Sequence, residues 1–220
     1  MATRPCVYIV GAGPGDPGLM TVRGLRHLQA ADVVVYDHQV HARLLRSARA
    51  EAERIDVGPA APRALDQEAI SLLLVEKARE GKNVVRLKWG DPFVFDSGGK
   101  EALFLHEQQI PFEVVPGIPA TIGVPAYAGI PITYPGSGDT VTLVRGNEAE
   151  TDEAPRVDWP RLAGLDGTLL CHAGAKQTGN RDGGDDADDR HDDQQLDERK
   201  ALGVANLHLN LLAGRNGGLG

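Results

Sequence analysis

The chain has 220 residues, 41% of them hydrophobic and 25% charged, which is enough to bury a core without covalent staples. No stretch approaches the ~20 apolar residues of a membrane span, Met1 to Cys6 has no signal-peptide layout, and two cysteines, Cys6 and Cys171, build neither a disulfide framework nor a four-thiolate zinc site, so a cytoplasmic address is expected. A net charge of −8 and 5% aromatic residues argue against a nucleic-acid partner.

Strand and helix signals alternate over the first 116 residues. Val7 to Val10 is a short apolar strand that runs into Gly11. A helix is expected from Gly24 to Ala31, with Leu25 and Leu28 on one face. Asp32 to Tyr36 is a buried strand, and Arg43 to Glu53 is helical in composition. Asp66 is the N-cap of a helix that passes through Ile70, Leu73, Leu74 and Lys77 and stops at Gly81. Val84 to Leu87 is the third expected strand, Lys100 to Gln109 a helix, and Phe112 to Val115 the fourth strand, ended by Pro116-Gly117. Continuous apolar strands separated by helices mean an α/β fold with a mostly parallel sheet.

A second, partial α/β domain is expected over 117–178. Its elements are a small-residue helix from Pro119 to Ala128, a strand at Val141 to Val144, a loop from Glu148 to Pro160 and a strand at Gly167 to Cys171. From 179 to 220 the chain loses hydrophobic period. Residues 180–200 hold eight Asp and one Glu against three Arg and one Lys, so most of the acidity sits in a segment expected to be disordered. The abruptness of the change points to a shift of reading frame near 176–180.

Three loops of small residues follow three of the expected strands. The first, Gly11-Ala12-Gly13-Pro14-Gly15-Asp16-Pro17-Gly18, fits G-x-G-x-x-G, with Asp37 ending the next strand roughly where a dinucleotide site places its ribose acid. Against that reading, Pro14 and Pro17 remove N–H donors and Asp16 adds negative charge where a pyrophosphate would lie. The second loop is Trp89-Gly90-Asp91-Pro92-Phe93-Val94-Phe95, in which Asp91 either accepts from a ligand hydroxyl or closes an Asx turn. The third is Pro116-Gly117-Ile118-Pro119-Ala120. Together they describe a crevice for a polar or cationic ligand without phosphates, to which S-adenosyl-methionine corresponds. His38 and His41 have no further ligand types beside them, and no metal is expected.

VYIVGAGPGDPGLMT, VVRLKWGDPFVF, VVPGIPA and AYAGIPIT occur in this order, and through them residues 5–178 closely resemble the tetrapyrrole methylase family, in particular its branch that C-methylates uroporphyrinogen III. The resemblance implies a two-domain α/β fold, residues 1–116 and 117 onward, with a ligand trough between the domains and a homodimer. It implies S-adenosyl-methionine as methyl donor, held by Pro14, Trp89, Gly90, Asp91, Val94, Pro119, Ala120 and Ala173, and Asp37 as the acceptor of the proton lost from the macrocycle. Two methyl transfers would give precorrin-2, toward sirohaem and cobalamin; another precorrin methyltransferase is the alternative within the fold, and a nicotinamide-dependent oxidoreductase or an inactive relic the alternative outside it. The substrate's eight carboxylates call for cations, and Arg23, Arg43, Lys88 and Lys100 are candidates by loop position. The chain departs from the family pattern at Pro59 (family Lys), Trp89 (Gly), Pro119 (Thr) and Pro135 (a basic residue).

Overall fold

A computed structural model describes residues 6–58, 65–136, 138–145 and 157–172. The departure at Pro59, the expected contact Ala173 and the acidic tail from 179 lie outside the described residues. Those described fall into two compact units that divide between Ala120 and Thr121.

The first unit is a five-stranded sheet. Its strands are β1 (Val7–Gly11), β2 (Val33–Tyr36), β3 (Glu53–Asp56), β4 (Val84–Lys88) and β5 (Phe112–Val115). They lie in the order β3-β2-β4-β1-β5, and every neighbouring pair is parallel. The helices are α1 (Val22–Ala30), α2 (Ala42–Leu45), α3 (Gln67–Arg79) and α4 (Gly98–Glu107). Side chains alternate across the sheet with the strand period of two. Val7, Ile9, Val33, Val35 and Val84 pack with Ile70, Leu74 and Val75 of α3 and Leu105 of α4. Val10, Val34, Val85 and Leu87 pack on the other face with Leu28 of α1 and Leu44 of α2. Helices on both faces are why the strands read as unbroken apolar runs. A side chain such as Leu74, fully buried, contributes about 2 kcal/mol by this transfer from water.

The helix ends follow local chemistry. Asp66 caps α3 by accepting from the Ala69 N–H at 2.8 Å, and Gly81 follows its end at φ +80°. Thr21 caps α1, accepting from the Gly24 N–H at 3.1 Å.

Two expectations fail. The helix expected over 43–53 is the single turn α2, and the chain continues through turns into β3, which was not foreseen. Glu53-Arg54-Ile55-Asp56 carries one apolar residue because β3 is an edge strand with little to bury. The Arg54 guanidinium occupies carbonyls that a longer helix would use, donating to those of Leu45, Arg49 and Ala52 at 3.3, 2.9 and 3.3 Å. In the second unit a short helix, α6 (Trp159–Ala163), occupies sequence expected to be partly loop. Asp158 caps it by accepting from the Arg161 N–H, and Pro160 sits in its first turn, where a missing N–H costs nothing.

The second unit otherwise holds most of α5 (Ala120–Tyr127) and a parallel pair, β6 (Val141–Arg145) with β7 (Thr168–His172). Gly167, at φ +108°, lies so close to Thr140 that a Cβ would fall 2.3 Å from its carbonyl oxygen.

Candidate functional site

The loops after β1, β4 and β5 emerge side by side, because β1 lies between β4 and β5 in the sheet. They touch backbone to backbone. Gly13 and Gly90 form a two-bond antiparallel bridge, with N–H to carbonyl distances of 3.2 and 2.8 Å. A Cβ on Gly11 would sit 2.5 Å from the Gly117 Cα and 2.6 Å from the Gly90 carbonyl oxygen. A Cβ on Gly117 would sit 2.2 Å from that oxygen. Gly11 and Gly117 are required by close approach, and Gly13, at φ +81°, and Gly90, at φ +69°, by backbone angle.

Asp91 joins two of the loops. Its Oδ1 accepts from the Phe93 N–H at 2.8 Å, closing the Asx turn, and its Oδ2 accepts from the Gly117 N–H at 3.0 Å. Of the two expectations for this residue the hydrogen bonds show the turn closure, and both carboxylate oxygens are already engaged in the loops. Gly90 is buried, with Pro119 before it: a Cβ there would meet only the Pro119 Cα, at 3.7 Å. At 3.7 Å that is ordinary contact, and the joined ends of the three loops form the candidate cradle of the site. Pro14, Trp89, Val94, Pro119 and Ala120 are half-buried in these loops, Ala120 opening α5.

The first loop does not lead into a helix N-terminus. Asp16 caps a 3₁₀ turn at Pro17–Leu19, accepting from the Gly18 N–H at 2.7 Å. α1 begins only at Val22, with its cap position filled by Thr21. A dinucleotide site sets its pyrophosphate on the helix that the glycine loop opens, and that geometry is absent among the described residues of this loop. The three loops contain no Lys or Arg but hold Asp16 and Asp91, a donor set that suits a cation better than a phosphate.

Asp37 follows β2 and faces β4. Its Oδ1 accepts from Arg86 Nη2 at 2.5 Å and its Oδ2 from the Trp89 N–H at 3.0 Å. The carboxylate thus anchors the first residue of the second loop.

Beneath that loop lies a charged cluster that the sequence reading missed. β4 reads Val-Val-Arg-Leu-Lys, and its period of two sends Arg86 and Lys88 to the face covered by α3 and α4. Both are almost fully buried, at 2% and 1% exposure, and Glu101 of α4 at 0%. Glu101 Oε1 accepts from Arg86 Nε, Lys88 Nζ and Gln67 Nε2 at 3.1, 3.2 and 3.2 Å. Lys88 also reaches Ser97 Oγ and Asp96 Oδ1, both at 3.0 Å. Burial by itself lowers the Arg86 pKa, but the charges of Glu101 and Asp37 and their hydrogen bonds outweigh it and hold the guanidinium above its ordinary value. Two cations at alternate positions of an otherwise apolar strand were the available signal.

Lys88 is therefore not a solvent-facing candidate for substrate carboxylates. Arg23 is exposed but pairs with Glu113 of β5 at 2.6 Å. Arg43 and Lys100 are exposed, on α2 and in the first turn of α4. His38 Nδ1 lies 3.3 Å from Asp56 Oδ2, whereas His41 Nδ1 accepts from the Arg43 N–H at 3.1 Å. Among the described residues no three His, Cys, Asp or Glu side chains cluster as metal ligands, and no helix is long and apolar enough to cross a membrane.

The family model of the tetrapyrrole (corrin/porphyrin) methylases matches residues 6–182. The S-adenosyl-L-methionine-dependent uroporphyrinogen III methyltransferase of Methanosarcina barkeri is 48% identical over 174 residues, 79% of this chain and 68% of that protein. The uroporphyrinogen-III C-methyltransferase of Methanocaldococcus jannaschii is 50% identical over 157 residues, 71% of this chain and 65% of that one. Siroheme synthase 2 of Pectobacterium atrosepticum is 47% identical over 173 residues, 78% of this chain and 37% of that protein. The chain thus spans about two thirds of the archaeal relatives and little more than a third of the synthase. Among solved structures, the uroporphyrin-III C-methyltransferase of Thermus thermophilus superposes with a TM-score of 0.61 at 41% identity, covering 71% of this chain and 66% of that one. That methyltransferase has also been solved in complex with S-adenosylhomocysteine.

Proposed function

The chain belongs to the tetrapyrrole methylase family, and from that membership we propose that it transfers two methyl groups from S-adenosyl-methionine to carbons of uroporphyrinogen III, giving precorrin-2. The observation that carries this reading is the close backbone approach of three loops at Gly11, Gly13, Gly90 and Gly117, none of which bears a cationic side chain. When bound, the sulfonium donor supplies an electrophilic methyl group.

What the chain contributes is placement. The pyrrole carbon is already nucleophilic, so the main demand is a fixed approach of donor and acceptor. Gly90 and Asp91 offer backbone groups from a loop tied at Gly13, Gly117 and Asp37. Pro14, Trp89, Val94, Pro119 and Ala120 are the half-buried residues of these loops that would meet the donor. Loops tied through main-chain bonds present their polar groups without reorganising at the moment of reaction. Asp37 already receives two donors, and, as the acceptor that the resemblance implies, its carboxylate would take up the proton that leaves the macrocycle. Of the three exposed candidates Arg23 is taken up by Glu113, so Arg43 and Lys100 would meet substrate carboxylates.

The same reading includes a homodimer, a cytoplasmic address and a second domain from about residue 117. The test is calorimetry with S-adenosyl-methionine and NAD in parallel, followed by mass analysis of uroporphyrinogen III after turnover. Binding of the sulfonium alone and a gain of two methyl groups are expected. Binding of NAD, or a folded chain that binds neither, overturns the reading.

A further inference from the structure

The loop 89–97 is long and its backbone departs from ordinary angles. Gly90 sits at φ +69° and the non-glycine Phe95 at φ +57°. A segment of this kind keeps one shape only where its surroundings impose it. Two anchors reach its ends. At Trp89 the N–H donates to Asp37, which is held by Arg86. At Asp96 and Ser97 the side chains accept from Lys88. Both cations converge on the same atom, Glu101 Oε1.

We propose that Glu101 is the positioning residue of the methyl-donor loop: one fully buried carboxylate oxygen, by orienting Arg86 and Lys88 together, fixes the start and the end of residues 89–97 and thereby the cradle at Gly90. The proposal rests on the reading that this loop holds the methyl donor. Glu101 does not touch the ligand. It acts through the two cations, each of which would point elsewhere, or repel the other, without a shared counter-charge between them. The converse arrangement, in which Glu101 is merely the cations' solvent substitute, predicts a loss of stability spread over the whole unit with no preference for the loop.

The geometry offers a mild variant. Glu101 Oε1 takes three donors, while Oε2 has no hydrogen-bond partner among the described residues. In Glu101→Gln the amide oxygen keeps the Oε1 bonds and the amide nitrogen takes the position that no donor uses. The charge is lost and a buried N–H group is gained at that position. Asp32→Asn is the control. Asp32 is a comparable anchor at the opposite end of the sheet, accepting from Arg49 Nη2 at 2.5 Å and from the Asn83 N–H at 2.8 Å.

The experiment compares wild type, Glu101→Gln and Asp32→Asn by calorimetry with S-adenosyl-methionine and by amide hydrogen exchange of the unliganded proteins. The expected result for Glu101→Gln is donor binding weakened by about ten-fold, the scale of one lost charge-assisted tether, with faster exchange at the Trp89, Gly90 and Phe93 amides and unchanged exchange at Val34 and Val85. Asp32→Asn is expected to bind the donor as wild type does, although it melts earlier. Unchanged loop exchange in Glu101→Gln, or equal weakening in both variants, overturns the proposal. If wild type binds no donor, the functional reading fails and the exchange measurement still decides whether Glu101 fixes the loop. Should Glu101→Gln not fold, Asp96→Asn carries the decision, since Asp96 is exposed at the far anchor: faster exchange confined to the loop supports the proposal and wild-type exchange overturns it.

Discussion

Gly117→Ala is the sharpest probe of the joined loops. Its Cβ would lie 2.2 Å from the Gly90 carbonyl oxygen and 2.7 Å from the Gly11 Cα, where ordinary contact begins at 3.4 Å. Both neighbours are backbone, so no side chain can swing away. Gly90 has to retreat by more than 1 Å, the difference between those separations. That displacement breaks the paired Gly13–Gly90 bonds at 2.8 and 3.2 Å and the Asp91–Gly117 bond at 3.0 Å. Two neutral bonds at about 1 kcal/mol each and one to a carboxylate at about 1.5 kcal/mol come to roughly 3.5 kcal/mol. Overpacking costs of 1–3 kcal/mol are of the same order. At about 4 °C per kcal/mol the melting temperature should fall by roughly 14 °C. A 1 Å misplacement at the cradle should also cost about 100-fold in methyl transfer. Differential scanning fluorimetry and a radiolabelled methyl-transfer assay read the two effects. A variant that melts within 2 °C of wild type, a small fraction of that shift, and keeps its turnover would refute the close packing of these loops as the basis of the site.

Gly99→Ala should do the opposite. Gly99 lies inside α4 with nothing within 4 Å of a new Cβ, so the helix should gain about 0.5–1 kcal/mol, read as a higher urea midpoint. Asp66→Ala removes the cap that accepts from the Ala69 N–H and should cost about 1 kcal/mol in the same titration. Asp32 has a folded pKa held below its usual value, first by the Asn83 N–H and then by Arg49, against the opposing effect of burial. Its contribution is therefore present above the unfolded value near 4 and lost as pH falls through the lower folded value. The stability gap between wild type and Asp32→Asn should be constant near neutrality and close below about pH 4, and a gap independent of pH down to full protonation would contradict the anchoring role.

Much of the first unit was legible from the chain. Valine-rich, mostly apolar runs mean strands covered on both faces, and β1, β2, β4 and β5 lie where those runs predict. Asp66 and Gly81 bracketed α3 because a cap and a left-handed glycine act within one turn of sequence. The glycine loops and their order marked the ligand end of the sheet, and the motifs pointed to the family that the comparisons identify. β3 was hidden because an edge strand buries little and so carries no apolar signature. The roles of Asp37 and Asp91 were open because a carboxylate at a strand end looks the same in sequence whether it meets a ligand or a backbone N–H.

What only the tertiary structure decided is which residues meet across the sheet. The order β3-β2-β4-β1-β5 places β4 between β1 and β2, so that Trp89 comes against Asp37, more than fifty residues earlier in the chain, and Gly90 against Gly13 and Gly117. The same order turns Arg86 and Lys88 inward onto Glu101 rather than outward to the substrate. Local chemistry is enough to make a strand, a cap or a glycine turn, because each is settled among near neighbours in sequence. The partner of a buried charge is set by strand order and helix packing, and those depend on the whole sheet at once.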